Sequence, residues 1–392
     1  MRIHAIPLVL SSESIFEVCL MCFRFSLKTL FLLSAALMLQ GCHHLAREAN
    51  AALDVKAETG LGPIVVDGKW GYIDARGRVA IPPRFDEAQA FANGLAVVRV
   101  KGKWGYIDAR GKEVIPPRFD GARDFTNGLA AVEVKGKVVF IDKAGEEVIA
   151  PRFDDAWEFS NGLAVVRVKD KFGYIDARGE AVIAPRFDGA WGFAADGLAV
   201  VEENGKHGYI NAWGEPVIAL RFDDATDFTA NGLAAVKVKG KVGFIDKAGK
   251  EVIAPRFDFA LGFAANGLAA VLMNGKWGYI DARGEIIPPH FDGAWNFTAN
   301  GLALIKANGK WGYIDEKGEE VIAPRFDAAY HFSANGLARV DENGKKAFID
   351  ARGQVVVHVD AVCGTGVLKN ARGDILWPPK TPARICEGRA AP

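Results

Sequence analysis

Carboxylates that return at a fixed spacing are the first candidates for chemistry in this chain. One row runs Asp74, Asp108, Asp142, Asp176, Asp246, Asp281, Asp315 and Asp350, with Asn211 in the fifth place. A second row runs Asp86, Asp120, Asp154, Asp188, Asp223, Asp258, Asp292 and Asp327. Carboxylates repeated on stacked turns can hold calcium. Each turn here supplies only one, so the favoured reading is structural: the first row makes turns, and the second pairs with neighbouring arginines such as Arg118 and Arg152. No metal site and no cofactor are expected.

The other reactive residue types are scattered. His207, His290 and His331 occupy three different slots of the repeat, and no two histidines share a spacing that suggests a metal site or a catalytic triad. No Gly-Lys step is followed by Ser or Thr, which excludes a phosphate-binding loop of the Walker type. No catalytic residue is assigned and the chain is read as a non-enzyme. Trp157, Trp191 and Trp295 recur in one slot beside charged and amide residues. They are the candidate ligand-facing aromatics, since aromatic faces stack on sugar rings, although a large aromatic in a β repeat also serves as packing. Among the five cysteines, Cys363 and Cys386 form an even pair in the C-terminal tail, consistent with one disulfide in an oxidising compartment. Cys19 and Cys22 make a Cys-x-x-Cys only inside an N-terminal segment expected to be removed.

What positions these residues is a repeat. The Ile-Asp or Ile-Asn step of the first row returns every 34 or 35 residues. A fixed period of this size signals units that cannot bury their apolar faces alone. Within the unit that starts at Gly94, the run from Leu95 to Val100 reads as a strand, Lys101-Gly102 as a tight turn and Trp104 to Asp108 as a second strand. Other copies place Asn-Gly in that first turn, the dipeptide best suited to the positive φ angles of a primed hairpin. Asp108-Ala109-Arg110-Gly111 reads as a second turn, and Glu113 to Ile115 as a third strand ended by Pro116-Pro117. An aromatic-bearing connector completes the unit. The slots of Ile107 and Phe119 keep their residue from copy to copy and are assigned to the core, whereas the Trp104 slot accepts even Lys346.

The fold class expected is therefore all-β: a tandem array of about nine three-stranded units, open and solenoid-like, with a closed β-propeller as the alternative. The open form is preferred because propellers usually carry about four to eight blades. Residues 63–358 form the repeat domain, and 359–392 a degenerate repeat expected to cap it. Half of the residues are apolar and the net charge is zero, a globular composition that argues against a nucleic-acid partner.

Residues 1–41 read as a signal region, with Met21 as an alternative start: Arg24 and Lys28 precede an apolar run too short for a comfortable membrane span. Leu39-Gln40-Gly41-Cys42 resembles the bacterial lipobox, which implies lipidation of Cys42 after cleavage, a tether over residues 42–62, and, with His43 following, attachment to a Gram-negative outer membrane on its periplasmic or surface face. The recurring Gly-Lys-Trp-Gly-Tyr-Ile-Asp, followed by Ile-Ala-Pro-Arg-Phe-Asp and Asn-Gly-Leu-Ala, resembles the WG-repeat family of bacterial proteins over about residues 63–352. That resemblance implies an all-β repeat with a binding or surface role and no activity. The expected function is a non-catalytic envelope lipoprotein whose β surface binds or scaffolds other proteins. A module for cell-wall glycan or peptidoglycan is the alternative.

Overall fold

The computed structural model describes residues 59–362 and 365–378. Every regular element among them is a β-strand, gathered into nine antiparallel sheets that follow one another along the chain. The second sheet shows the pattern: Glu87–Ala88, Leu95–Val100, Lys103–Asp108 and Glu113–Phe119 lie side by side in that order. The first sheet holds three strands, Gly62–Val66, Lys69–Ile73 and Val79–Phe85. The ninth holds six, because Thr365–Asn370 and Ile375–Trp377 extend it beyond Val355–Val362.

Turn chemistry sets the register. Lys101 and Gly102 have φ of 51° and 79°, and Asn204 and Gly205 have 52° and 70°, the two consecutive positive values of a primed hairpin. At the second turn the Asp108 carboxylate accepts the amides of Arg110 and Lys112, both at 2.9 Å, and Gly111 takes φ of 77°. The first aspartate row thus makes turns, as expected.

The unit differs from expectation in two places. The aromatic-bearing connector contributes one more strand, the first in sheets two to nine, whose first two residues pair with the next strand and whose fuller form, Asp155–Ser160, appears in the fourth sheet. The paired prolines do not end the third expected strand, which continues to Phe119. Trp104 faces Phe119 and Tyr106 faces Ile115, so two residues on one strand span four on the other, and the prolines sit in that bulge where no ladder donor is needed. The glycine after the tryptophan slot makes the bulge possible: a Cβ on Gly243 would lie 2.5 Å from the Ile253 carbonyl oxygen. Blade nine has Ala347 there and no shift opposite it. In blade three Val139 occupies the slot beside the same irregularity, and we have no physical account of it.

Nine apolar clusters hold the sheets together, and each draws on two successive sheets. The ninth joins Ile64, Val66 and Ile73 of the first sheet to Leu337, Phe348, Val357 and Leu368 of the last. Polar contacts cross the same seam: the Gly366 amide donates to the Asp67 carboxylate at 2.8 Å, and Asn335 Nδ2 to the Ile73 carbonyl at 3.4 Å. The molecule is a nine-bladed β-propeller. Of the two arrangements compatible with the repeat, the closed ring replaces the preferred open array. A period of 34 or 35 residues is enough for a four-stranded blade because the connection between blades is a single residue, as Asp223 is between Phe222 and Asp224.

That single residue is also a clasp. Asp223 accepts Lys206 Nζ of its own blade at 2.7 Å and the Lys239 amide of the next at 2.7 Å. The same arrangement recurs at Asp86, Asp120, Asp154, Asp188, Asp258 and Asp327. The second row therefore pairs with lysines and turn amides, which corrects the expected pairing with arginines. The arginines reach forward instead: Arg118 donates to the Gly145 carbonyl at 2.5 Å and Arg186 to Gly214 at 2.6 Å, each guanidinium lying over its own neighbouring phenylalanine. Six tyrosines add a third tie. Tyr279 donates to the Trp295 carbonyl of the next blade at 2.7 Å while its ring, fully buried, packs 5.0 Å from Phe297.

Two outcomes follow for stability. Lysine contacts hold Asp86, Asp120, Asp154, Asp188, Asp223, Asp292 and Asp327 below the ordinary carboxylate range. Folded values below unfolded ones give stability that is complete above the unfolded value and is lost as pH falls through the folded ones. Thermal unfolding followed by circular dichroism will show a melting temperature that drops below about pH 4, and Asp223→Asn will show a smaller acid loss than the parent. In chemical denaturation, Tyr279→Phe will cost about 1 kcal/mol and Tyr279→Ala about 3–5 kcal/mol.

Candidate interaction surface

In blades two to eight the fourth and last strand lies at a sheet edge and repeats one exposure pattern: in Glu147–Phe153, only Ile149 and Phe153 are buried. The buried isoleucine faces the tyrosine or phenylalanine of the adjacent strand, so the residue before it must point the other way. That residue is aliphatic and open to solvent in seven successive blades: Val114, Val148, Val182, Val217, Val252, Ile286 and Val321, each 39–47% exposed. Alternation alone would favour a polar residue at such a place. The belt is an apolar feature repeated around the outside of the fold.

Blade five adds Trp213, 78% exposed and the most exposed large apolar side chain among the described residues. It stands in the second turn, where Asn211 Oδ1 accepts the Trp213 amide at 3.0 Å and fixes the backbone from which the ring projects. The corresponding places hold Arg76, Arg110, Ala144, Arg178, Ala248, Arg283, Lys317 and Arg352. Sequence reasoning missed Trp213 although this departure was visible in an alignment of the copies.

The three tryptophans singled out from the sequence are half-buried and lie in three different blades. Trp157 packs between Arg123 and Phe172, each about 5.7 Å from its ring. Trp191 lies 5.4 Å from the His207 ring, and Trp295 lies edge-on to His331 at 5.5 Å with its indole N–H buried. Their carbonyls at 191 and 295 accept the tyrosine clasps of the preceding blades. Each ring belongs to the packing between two blades.

No pair of histidines is brought together among the described residues. His207 is buried with its Nε2 3.9 Å from Glu202, and His290 contacts the Pro288 carbonyl through Nδ1 at 2.7 Å. Burial pushes the His331 imidazole down to about 4, which leaves it neutral at physiological pH. Among the described residues, no group of three or more histidine, cysteine, aspartate or glutamate side chains is placed to hold a metal ion. Cys42, Cys363 and Cys386 lie outside the described residues, as do residues 1–58.

A family profile described as WG containing repeat matches residues 70–104, 104–137, 140–172, 172–206, 208–241, 243–277, 277–311 and 311–345. No curated protein matches the chain. Among solved structures, a crystal structure of the eukaryotic initiation factor aligns with a TM-score of 0.57 and 14% identity, over 78% of this chain and 96% of that one. The dihydro-heme d1 dehydrogenase NirN aligns at 0.44 with 16% identity, over 71% and 75% of the two chains. Hsv2 of Kluyveromyces lactis aligns at 0.38 with 11% identity, over 71% and 94%. At these identities the likeness to the first is one of fold alone.

In the first aspartate row Oδ1 of each carboxylate accepts turn amides, as at Asp108 and Asp246, and in the second row lysines and turn amides take both oxygens, as at Asp223, so chelation removes nothing the fold uses. Thermal unfolding with and without excess EDTA will give melting temperatures that agree within about 1 °C, whereas loss of a ligand that stabilised the ring would shift them by several degrees.

Proposed function

The chain belongs to the WG-repeat family, and from that membership and the surface it displays we propose that it acts as a non-catalytic scaffold which binds other proteins at the bacterial cell envelope. The observation that carries this reading is the exposed aliphatic belt together with Trp213. Contiguous or regularly spaced exposed apolar groups on a soluble surface mark contact sites, and tryptophan is among the residues that contribute most to protein interfaces. Val182, Val217 and Trp213 come from neighbouring fourth-strand edges and the turn of blade five, so a partner that seats on the indole also meets branched aliphatic side chains. Rigid blades present these groups without ordering a loop, which lowers the entropic cost of association.

Envelope attachment rests on Cys42 and the apolar run before it. Lipidation at that cysteine would hold the ring at the outer membrane by a tether of residues 42–62, leaving the propeller free to meet partners. A glycan-binding role for Trp157, Trp191 and Trp295 is the other reading, but their rings are engaged between blades.

The decisive experiment places a photo-crosslinking amino acid at position 213 in intact cells. The scaffold reading expects a discrete protein adduct that Val182→Thr with Val217→Thr reduces about tenfold while melting is unchanged. No adduct, or one indifferent to both substitutions, would sink it. In parallel, Cys42→Ser should move the protein from the membrane fraction to the soluble one.

A further inference from the structure

The seam between the first and last blades contains a groove of about 380 Å³, lined by Arg78, Val79, Ala80 and Pro82 on one side and by Leu376 and Trp377 on the other. It lies within the size range of small-molecule sites. One wall is the third and last strand of blade one, Val79–Phe85. The other is the terminal strand Ile375–Trp377, present in this sheet and in no other.

Three departures from the repeat meet at this place. Ala80 holds the slot that is valine or isoleucine in each of the other eight copies, so the groove is open where a branched side chain would otherwise project. Arg78 holds a place taken by Lys112, Glu146 or Gln354 elsewhere, and Trp377, paired with Leu368, stands in the slot that isoleucine holds opposite Tyr106 in the second blade. The Trp377 and Leu376 side chains are half-buried against the seam cluster, which fixes that wall. Arg78 is fixed too: its Nε and Nη2 both approach Asp74 Oδ2 at 2.7 Å. Its Nη1 makes no hydrogen bond among the described residues, and 68% of the side chain is exposed. A preorganised guanidinium at the mouth of an apolar slot matches an anion attached to an apolar body. Sugars suit it less, since the Arg78 guanidinium and the Trp377 indole N–H are the polar side-chain groups of the lining, both donors, and most sugar hydroxyls would be left unpaired.

We propose that this seam groove is a binding site for a small monocarboxylate with an aliphatic or aromatic body, the carboxylate on Arg78 and the body between Trp377, Leu376, Ala80 and Pro82. The site depends on ring closure, because its two walls come from opposite ends of the described chain. It is independent of the belt and of Trp213.

Isothermal titration of the whole protein with 4-phenylbutyrate, and with 4-phenylbutan-1-ol as the uncharged match, tests it. The acid should bind with a Kd between about 1 µM and 1 mM, and the alcohol should bind about tenfold or more weakly, reflecting a lost charge-assisted hydrogen bond. Arg78→Gln should weaken the acid to the level of the alcohol. Ala80→Val should abolish binding of both with no change in melting temperature, since it restores the branched aliphatic residue that the other eight copies carry, valine in seven of them. The proposal is overturned if the parent binds neither compound at several times about 1 mM, if acid and alcohol bind equally, or if Ala80→Val leaves affinity intact.

Discussion

No blade of this protein can cover its own apolar face, and the contact between successive sheets is the constraint from which the rest follows. At eight of the nine junctions an aromatic side chain of the Tyr279 type inserts fully buried against a phenylalanine of the next blade, and at the ninth Phe348 packs on Ile64 and Val66. Burial of that kind is worth several kcal/mol per aromatic group, far more than any surface ion pair. Because every unit offers the same two faces, the array must either end in a cap or return on itself. The seam cluster of Ile64, Val66, Phe348 and Leu368 shows that it returns.

The polar clasps refine this packing. Lysine, aspartate and turn amide meet at the one-residue link between blades, arginine spans to the next turn carbonyl, and tyrosine donates across the same junction. Individually such exposed pairs contribute little. Their repetition gives each blade a fixed angle to its neighbour, since a carboxylate bound from both sides leaves the link few alternatives. Blades that lack one tie keep the others: Phe244 has no hydroxyl to donate, yet it remains fully buried 4.9 Å from Phe263.

Much of this was legible in the residues. The 34-residue period, the Asn-Gly and Lys-Gly hairpins and the aspartate turns are local signals, and the slots of Ile107 and Phe119 are buried as their constancy suggests. What could not be read was anything set by distance between units. Closure depends on small accumulated rotations that no single copy encodes. The lysine partners of Asp86 and its equivalents lie 16 or 17 residues away and become neighbours only through the bulge. The short first strand was hidden because two residues carry no periodicity. The belt was overlooked for a similar reason: a Glu-Val-Ile run gives no hint which of its two apolar residues faces inward. For Trp213 the signal was present, as the one aromatic in a slot of arginine, lysine and alanine.

Eight of the nine junctions in the ring are crossed by continuous backbone, and the ninth is not. There the blades are joined by side-chain burial, the Asp67 carboxylate and Asn335, with no strand shared between the two sheets. Parting that junction alone would convert a disc into an open arc without unfolding any sheet. Under tension applied through its ends, the molecule would yield there first and lengthen like an unfastened bracelet, and it could snap shut again when the load was released.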